Sequence, residues 1–287
     1  MISFLGVLFD GLAYGALLFL IGIGLSVTLG LMNFVHLAHG VFAMLGGYLT
    51  VTLTQALGMP FLAALPVTFL AVGLLGAVVE RLLYRRFYAA TALDQTLLCI
   101  GVVLMAIAAA TFVFGPQQQA ARIPDELKGN WVLAGVELSR YKVFSLGMVV
   151  VIYAGLIYLI ERTTFGAQVR ASVDQRMAAQ GCGINVDAVF TACFALGTGL
   201  AGLGGAMATD LLGLDPSFPL KFMVYFLLVT VVGGAGSVQG PLVAALVLGV
   251  CDVAGKYYIP QVSAFSIYLV MVAALVMFPA GLGGQKK

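Results

Sequence analysis

Charged side chains are scarce in this chain, because Asp, Glu, Lys and Arg together make up only 9% of its 287 residues. A soluble domain carries about a quarter charged residues, so this composition excludes an ordinary soluble fold. The formal net charge of +2 is too small to indicate a nucleic-acid partner. The cysteines are scattered without CxxC spacing, which predicts neither a disulfide framework nor a metal site: Cys99, Cys182, Cys193 and Cys251.

Signatures of enzyme chemistry are missing as well. The nearest approach to a phosphate-binding P-loop, Gly249 followed by Gly255-Lys256-Tyr257, has five intervening residues where the motif has four. It also places tyrosine where serine or threonine must reach magnesium, and it lies in an apolar segment. Neither a GxSxG serine elbow nor an HExxH zinc helix occurs in the sequence. We therefore expect no catalytic residues and no ATP bound by this chain.

Long apolar segments fill most of the sequence. Hydrophobic residues make up 62% of it, the mean hydropathy is +1.08, and a helix needs about 20 apolar residues to cross a bilayer. The first segment lacks the basic region of a signal peptide and continues to spanning length, so we expect no cleavable signal. The pattern predicts an all-α polytopic membrane protein with about nine transmembrane helices (eight to ten), at 8–32, 37–57, 60–79, 93–115, 143–160, 188–210, 220–236, 239–257 and 262–280.

Clusters of basic residues in the loops predict the orientation of the chain. They follow the third segment, follow the fifth segment and end the chain: Arg81, Arg85, Arg86, Arg162, Arg170, Arg176, Lys286 and Lys287. Even numbers of spans separate the clusters, so they share one side, which the positive-inside rule makes the cytoplasm. The N-terminus is then expected in the periplasm, the C-terminus in the cytoplasm, and the loop 116–142 on the external side.

The segment 161–187 is a charge-rich island between two apolar segments. It holds Glu161, Arg162, Arg170, Asp174, Arg176 and Asp187. Arg170, Asp174 and Met177 fall at helical spacing, and the glycines from Gly181 onward predict the end of one short helix. A short water-facing helix between spans suits docking to a soluble partner, whereas an ordinary solvated loop would have the same composition.

Glycine is frequent, with 36 residues, and much of it lies inside the apolar segments. The cluster GGAGS at 233–237 predicts a helix break at membrane depth, where irregular backbone is tolerated only when it is buried or lines a cavity. Small residues four apart let helix backbones approach closely, which predicts packing faces at Gly11/Gly15, Ala201/Gly205 and Gly236/Gly240.

The only two histidines of the sequence, His36 and His39, lie three residues apart in the segment 30–49 and share one helix face. We expect no metal site there, because no cysteine or carboxylate lies nearby to complete the ligand shell. Polar groups inside a span more often face a bundle interior or a cavity. Asn33, His36 and His39 are therefore candidates for hydrogen bonds near a pathway, with structural capping of a kink before Gly40 as the alternative.

Three motifs stand in order along the chain. His39-Gly40 precedes MLGGY at 44–48, the island carries TFG at 164–166 and GINV at 183–186, and VGGAGSVQGP occupies 232–241. In this order they resemble signatures of the membrane permease subunits of bacterial ABC importers for branched-chain amino acids. The chain departs from that family at His36, where the family usually has asparagine, and at Gly47, where it has alanine.

The resemblance implies a single transmembrane permease domain, 1–287, of an ATP-driven importer in the bacterial inner membrane. Its substrates would be branched-chain or other small aliphatic amino acids, delivered by a periplasmic binding protein. Its partners would be a second permease subunit, often a different homologous chain, and two ATP-binding subunits that use ATP and magnesium. The alternatives are an ion-coupled secondary transporter or a channel for small polar solutes such as amides and urea.

The resemblance also implies roles for individual residues, none of them catalytic or metal-binding. The island would form a coupling helix that docks on the ATPase, through Thr164, Phe165, Gly166, Arg170, Ala171, Asp174, Ala179, Gly183, Ile184 and Asn185. The substrate pathway would pass Asn33, His36, His39, Gly40, Gly46, Gly47, Gly233, Gly234, Gly236 and Ser237.

Overall fold

The computed structural model describes residues 2–32, 36–88, 90–133, 136–234, 236–261, 263–277 and 281–282. Within them the chain is a bundle of α1 (Ile2–Met32), α2 (His39–Gln55), α3 (Phe61–Leu82), α4 (Ala92–Phe114), α5 (Arg140–Arg162), α6 (Thr164–Asp174), α7 (Arg176–Gly181), α8 (Val186–Leu211), α9 (Phe218–Gly233), α10 (Gln239–Tyr258) and α11 (Ser263–Met277). Two short 3₁₀ helices, Tyr84–Phe87 and Asp125–Leu127, and an antiparallel hairpin of β1 (Asn130–Leu133) and β2 (Val136–Ser139) complete the described structure.

Each apolar segment predicted from the sequence coincides with one of the longer helices. Among the described residues, six helices are long and apolar enough to cross a membrane, namely α3, α4, α5, α8, α10 and the part of α1 from Phe4 to Gly30. α9 is a shorter apolar helix of 16 residues. The prediction of a mostly helical protein with several membrane spans is therefore confirmed.

α1 and α10 lie antiparallel against each other. Gly11 of α1 touches Val250, whereas Gly15 touches Ala245, so positions later in α1 meet positions earlier in α10. A Cβ atom at Gly15 would lie 2.5 Å from the carbonyl oxygen of Ala245, which only glycine avoids. The packing face predicted at Gly11 and Gly15 is thus confirmed.

α8 packs against α2 with similarly close backbone contacts. A Cβ atom at Gly46 of α2 would lie 2.2 Å from the carbonyl oxygen of Gly202, and one at Gly205 would lie 1.8 Å from that of Ala43. Helices in a bilayer associate through such close packing, because lipid tails are as apolar as the helix surfaces. The small residue predicted at Gly205 therefore sets the distance between α2 and α8.

The two ends of the bundle carry different structures. At the α6–α7 end, Arg85 of the 3₁₀ helix and Arg176 of α7 both pair with Asp187. At the opposite hairpin end, β2 lies beside the start of α1, and Lys142 pairs with Asp10. The basic residues Arg85 and Arg176, which the sequence placed on one side of the membrane, thus lie at the same end. Lys286 and Lys287 lie outside the described residues.

α2 begins inside the bundle rather than at its end. Its first residue, His39, places Nε2 at 2.9 Å from the carbonyl oxygen of Ile21 in α1. Ile21 lies about 16 Å along the helix axis before Met32, the last residue of α1. The predicted span 37–57 therefore starts near mid-depth, and it is a continuous helix through Gly46 and Gly47 to Gln55.

The island folds as two helices, where helical spacing predicted one. α6 ends at Asp174 and α7 begins at Arg176, because Gln175 between them has φ −148° and ψ 87°. Helical spacing in the sequence does not reveal a single residue whose backbone lies outside the helical region. The prediction of one helix was therefore wrong in this detail.

Replacing Gly46 by valine should destabilise the protein, because the new side chain would collide with the backbone of Gly202. Overpacked sites lose about 1–3 kcal/mol, and a backbone neighbour yields less easily than a side chain. Gly101→Val is the matched control, since nothing lies within 4 Å of a Cβ atom added at Gly101 in α4. Thermal unfolding of the detergent-purified variants should show a lowered midpoint for Gly46→Val only, and equal midpoints would contradict the close α2–α8 contact.

Candidate functional site

Side-chain caps fix where the helices of the island begin and end. Thr163 Oγ1 accepts a hydrogen bond from the Gly166 N–H at 3.3 Å, at the start of α6. Asn185 Oδ1 accepts one from the Ala188 N–H at 3.1 Å, at the start of α8. After α7, Gly183 has φ +82°, a left-handed conformation that favours glycine and stops a helix. Gly183 and Asn185, predicted as coupling residues, therefore shape the island.

One set of the predicted coupling residues is packed against the bundle. Phe165 and Ile184 contact a small apolar cluster that includes Val27 of α1 and residues of α8. Ala171 and Ala179 pack in a second cluster with the first turns of α8. A Cβ atom at Gly166 would lie 2.0 Å from the carbonyl oxygen of Ile160, so α6 rests directly on the last turn of α5. These residues hold the island in place.

The other set is exposed on the outer surface of α6 and α7. It includes Thr164, Arg170 and Asp174, and the same two helices expose two apolar side chains that the resemblance does not assign, Val173 (43% exposed) and Met177 (86% exposed). Methionine is frequent at binding surfaces because its side chain is flexible and polarizable. Apolar residues inside a polar rim have the anatomy of a protein interface. We call Val173 and Met177 the exposed ridge.

Although Arg170 is exposed, its side chain also contacts the end of α5. Its guanidinium donates a hydrogen bond to the carbonyl oxygen of Ile160, at the C-terminal end of α5. A cation at a helix C-terminus is favourable because the last carbonyl groups lack intrahelical partners. Arg170 therefore ties the helix that bears Val173 to α5.

Asp187 is a junction that the sequence analysis did not assign to the site. Its carboxylate pairs with Arg85 after α3 and, at 3.1 Å, with Arg176 at the start of α7. The guanidinium of Arg176 also lies over the ring of Phe190, 5.4 Å from its centroid. In the sequence Asp187 is only one of several charged residues of the island. Its role could not be predicted, because the fold is what brings Arg85 and Arg176 to it.

The glycine break between α9 and α10 faces the island. A cavity of about 280 Å³ is lined by Arg170, Asp174 and the partly exposed Val173 of α6, by Gly236 of the break and by the end of α1. Ser26 of α1 holds the break, because its carbonyl oxygen accepts the Gly236 N–H at 3.1 Å and its hydroxyl donates to the Ser237 carbonyl at 3.2 Å. The structure thus brings together Asp174 and Gly236, which lie 62 residues apart in the sequence.

The histidine motif is tightly packed in the interior. The ring of His36 lies edge-on to Tyr84 at 4.7 Å between centroids and close to Phe194 at 4.9 Å. The gap beside His36, His39 and Gly40 is too narrow to hold a water molecule. Among the described residues no group of three His, Cys, Asp or Glu side chains could hold a metal ion. Asn33 lies outside the described residues.

The remaining predicted pathway residues are distributed over other contacts. Gly46 and Gly47 lie between α2 and its neighbours, with Gly47 against the side chain of Leu214. Gly233 abuts Pro241 at the start of α10, and the Gly234 carbonyl accepts a hydrogen bond from Ser237 Oγ at 3.3 Å. The structure therefore places the predicted residues in three separate regions rather than along one open cavity.

Two carboxylates at the hairpin end, outside the spanning helices, have lowered pKa values. A hydrogen bond from Lys128 Nζ at 2.7 Å lowers the pKa of Asp125. Burial by itself would raise the pKa of Asp215, but hydrogen bonds from Lys221 and Ser217 lower it overall. Both groups therefore stay ionised at neutral pH.

Comparison with known proteins gives relatives over nearly the whole length. The chain is 25% identical over 294 residues to the probable branched-chain amino acid transport permease protein LivH of Methanocaldococcus jannaschii, covering 97% of this chain and 92% of that protein. It is 27% identical over 301 residues to the high-affinity branched-chain amino acid transport system permease protein BraD of Pseudomonas aeruginosa, covering 97% and 95%. The solved structure of PsaBC from Streptococcus pneumoniae in complex with Fab has a TM-score of 0.49 and 15% identity, covering 95% of this chain and 91% of that one.

The family comparison covers all three motifs and the helices that bear them. Residues 7–278 match the family described as "Branched-chain amino acid transport system / permease component". The chain therefore belongs to the family of permease components of branched-chain amino acid transport systems.

Proposed function

We propose that this chain is the transmembrane permease subunit of an ATP-driven ABC importer for branched-chain or other small aliphatic amino acids. The observation that carries the proposal is the exposed ridge of Val173 and Met177, on helices that are anchored to the bundle. The names of the relatives support the substrate class. The permease itself is non-catalytic, and ATP and magnesium are bound by separate partner subunits.

The proposed topology is a single permease domain, 1–287, with about nine membrane helices (eight to ten) in the bacterial inner membrane. The N-terminus is periplasmic, the C-terminus is cytoplasmic, and the loop 116–142 is external. The arrangement of Arg85 and Arg176 at the α6–α7 end supports this orientation, since basic loops stay on the cytoplasmic side. α2 is counted among these helices, although it starts near mid-depth and runs from there to the external side.

The proposed coupling surface is the island 161–187, received by a groove on the ATPase. Its packed residues transmit force, because Gly166 rests on α5 and Asp187 joins α7 to α3 and α8. Its exposed residues make the contact, with Met177 as the apolar centre and Arg170 and Asp174 in the polar rim. The complex contains a second permease subunit, a homologous chain, and two ATP-binding subunits. A periplasmic binding protein delivers substrate to the hairpin end.

The proposed substrate pathway adjoins the irregular backbone at 36–38 and 236–238 within the bundle. Irregular backbone at membrane depth is expected only where it is buried or lines a cavity. The tight packing around His39 and Gly40 means that this conformation is closed there. Opening there requires α2 to separate from α9, against which Gly40 packs at Pro219 and Phe226. The island is placed to drive this movement through α1, because Ser26 of α1 holds the break that follows α9.

The positions of the buried carboxylates argue against an ion-coupled transporter. Such proteins place carboxylates near the middle of the membrane. Here Glu80, near the end of α3, accepts hydrogen bonds from Tyr88 at 2.6 Å and Thr191 at 2.8 Å. Asp252 lies in the last turns of α10 and pairs with Lys256. Both acidic groups have protein partners near helix ends.

Replacing Met177 by aspartate should weaken association with the ATPase without affecting membrane insertion. Met177 is 86% exposed, so its substitution removes little internal packing and places a charge in the centre of the contact. Interface anchors of this kind contribute about 2 kcal/mol or more, so ATPase recovery in a pull-down from detergent-solubilised membranes should fall at least about tenfold. Met177→Leu is the apolar control and should keep the partner. Equal recovery with Met177→Asp would contradict the docking role of the ridge.

Replacing His39 by alanine should lower transport more than it lowers the amount of protein in the membrane. The substitution removes the contact of the His39 ring with the Ile21 carbonyl, which sets where α2 begins. One buried hydrogen bond contributes about 1 kcal/mol to stability, too little to prevent folding, whereas a misplaced α2 alters the pathway itself. Uptake per mole of membrane-inserted permease is the readout. Parallel losses of uptake and protein amount would instead assign His39 a purely structural capping role.

A further inference from the structure

Four charged residues meet in a pocket at the hairpin end of the bundle. This four-charge pocket, formed by Asp10, Lys142, Asp252 and Lys256, has a volume of about 250 Å³ and lies among α1, α5, α10 and the end of α8. Sites for drug-sized ligands have volumes of about 300–1,000 Å³. The pocket therefore has the size for a smaller molecule.

The pocket contains equal numbers of positively and negatively charged side chains. Lys142 Nζ of α5 lies 2.8 Å from Asp10 Oδ1 of α1, and Lys256 pairs with Asp252 one turn earlier in α10. Lys256 Nζ also lies 5.4 Å from the centroid of the Tyr14 ring. Two ammonium groups and two carboxylates thus surround one small space, with no net charge.

The carboxylate of Asp252 makes this arrangement unusual for a membrane protein. Its side chain is only 1% exposed, although it lies in an apolar helix. Burying a carboxylate is costly unless it is paired, and charged residues in spanning helices are retained mainly for function. Its pair with Lys256 does not hold two helices together, because both residues belong to α10.

The rest of the pocket wall is aliphatic. Leu211 and Leu212 at the end of α8 and Val253 of α10 line it, together with Ala13 of α1. An amino acid with a branched side chain presents one ammonium, one carboxylate and one aliphatic group. These three groups match the aspartates, the lysines and the leucine wall. An amide or urea carries neither an ammonium nor a carboxylate, so it could not pair with either kind of charged side chain.

We propose that the four-charge pocket is an external subsite for zwitterionic amino acids with aliphatic side chains. Asp10 or Asp252 accepts hydrogen bonds from the ligand ammonium, and Lys142 or Lys256 donates to its carboxylate. The subsite receives the substrate at the hairpin end before the closed region around His39. The inference rests on the proposed importer function, and it places part of substrate selection in the permease itself.

The test measures ligand binding to the purified importer complex in lipid nanodiscs, without the binding protein, by saturation-transfer NMR. Leucine should bind saturably, whereas leucine amide, which lacks the carboxylate, and 4-methylpentanoate, which lacks the ammonium, should each bind at least about tenfold more weakly. The double variant Asp10→Asn/Lys142→Gln removes one ion pair without leaving an unpaired charge, and it should weaken leucine binding about tenfold. Lys142→Arg keeps the charge and should keep most of the binding.

A second variant addresses the cavity rather than the charges. Leu212→Trp fills the space and leaves both ion pairs in place, so it should abolish leucine binding while the thermal midpoint of the complex stays near that of the unmodified protein. Leucine binding that neither variant changes would overturn the subsite, because the ligand would then bind elsewhere.

The outcomes separate this inference from the importer function. A complex that takes up leucine with its binding protein and ATP, yet shows no saturable leucine signal of its own, overturns the subsite and leaves the function intact. A complex that does not transport leucine, but binds another zwitterionic amino acid in a manner sensitive to both variants, supports the subsite and overturns the proposed substrate.

Discussion

Close backbone contact between helices is the constraint on which this structure depends. Burying apolar surface gives helices little reason to associate inside a bilayer, so dense packing must take its place. α8 contributes many of the small residues, and its glycines touch α1, α2 and α3: Gly197, Gly199, Gly202, Gly204 and Gly205. α8 consequently lies in the interior of the bundle, and the positions of its neighbours follow from these contacts.

The same helix connects the exposed surface to the interior. α8 begins at the Asn185 cap shortly after α7, and Asp187 in its first turn joins it to Arg85 and Arg176. Further along, Gly202 of α8 holds α2, whose start is fixed at mid-depth by His39. A partner that displaced α6 and α7 would therefore move α2 through one continuous helix. In the proposed coupling, the packed residues of the island transmit the movement that the exposed residues receive.

Several features of the fold could be predicted because they depend on local composition. Apolar length located the long helices, and small residues four apart located a packing face at Gly11 and Gly15, whose partner α10 is given only by the fold. The first residue of α2 was predicted to within two positions, but its location near mid-depth was not. That depth depends on the contact of His39 with Ile21, and the hydropathy of 37–57 does not distinguish a helix that begins at mid-depth from a full span. The division of the island at Gln175 likewise depends on one backbone conformation.

The candidate site was predictable only in part, because exposure and long-range contacts depend on the fold. The island was recognisable by its charge, and its motif residues do lie together. Met177 was assigned no role, because only the structure shows that this apolar side chain is exposed. The four-charge pocket joins Asp10 to Lys142 across 132 residues of sequence. Sequence spacing carries no signal for such a pair, since three helices, α2, α3 and α4, intervene before α5 begins at the hairpin end.

ATP-dependent uptake by the reconstituted complex tests the central claim most directly. The permease, its partner permease and the ATPases would be placed in liposomes, with ATP supplied on the side of α6 and α7 and the binding protein with labelled leucine on the hairpin side. The account predicts leucine accumulation that requires both hydrolysable ATP and the binding protein, in the absence of any ion gradient. Uptake that follows an imposed ion gradient and proceeds equally well without ATP would contradict it.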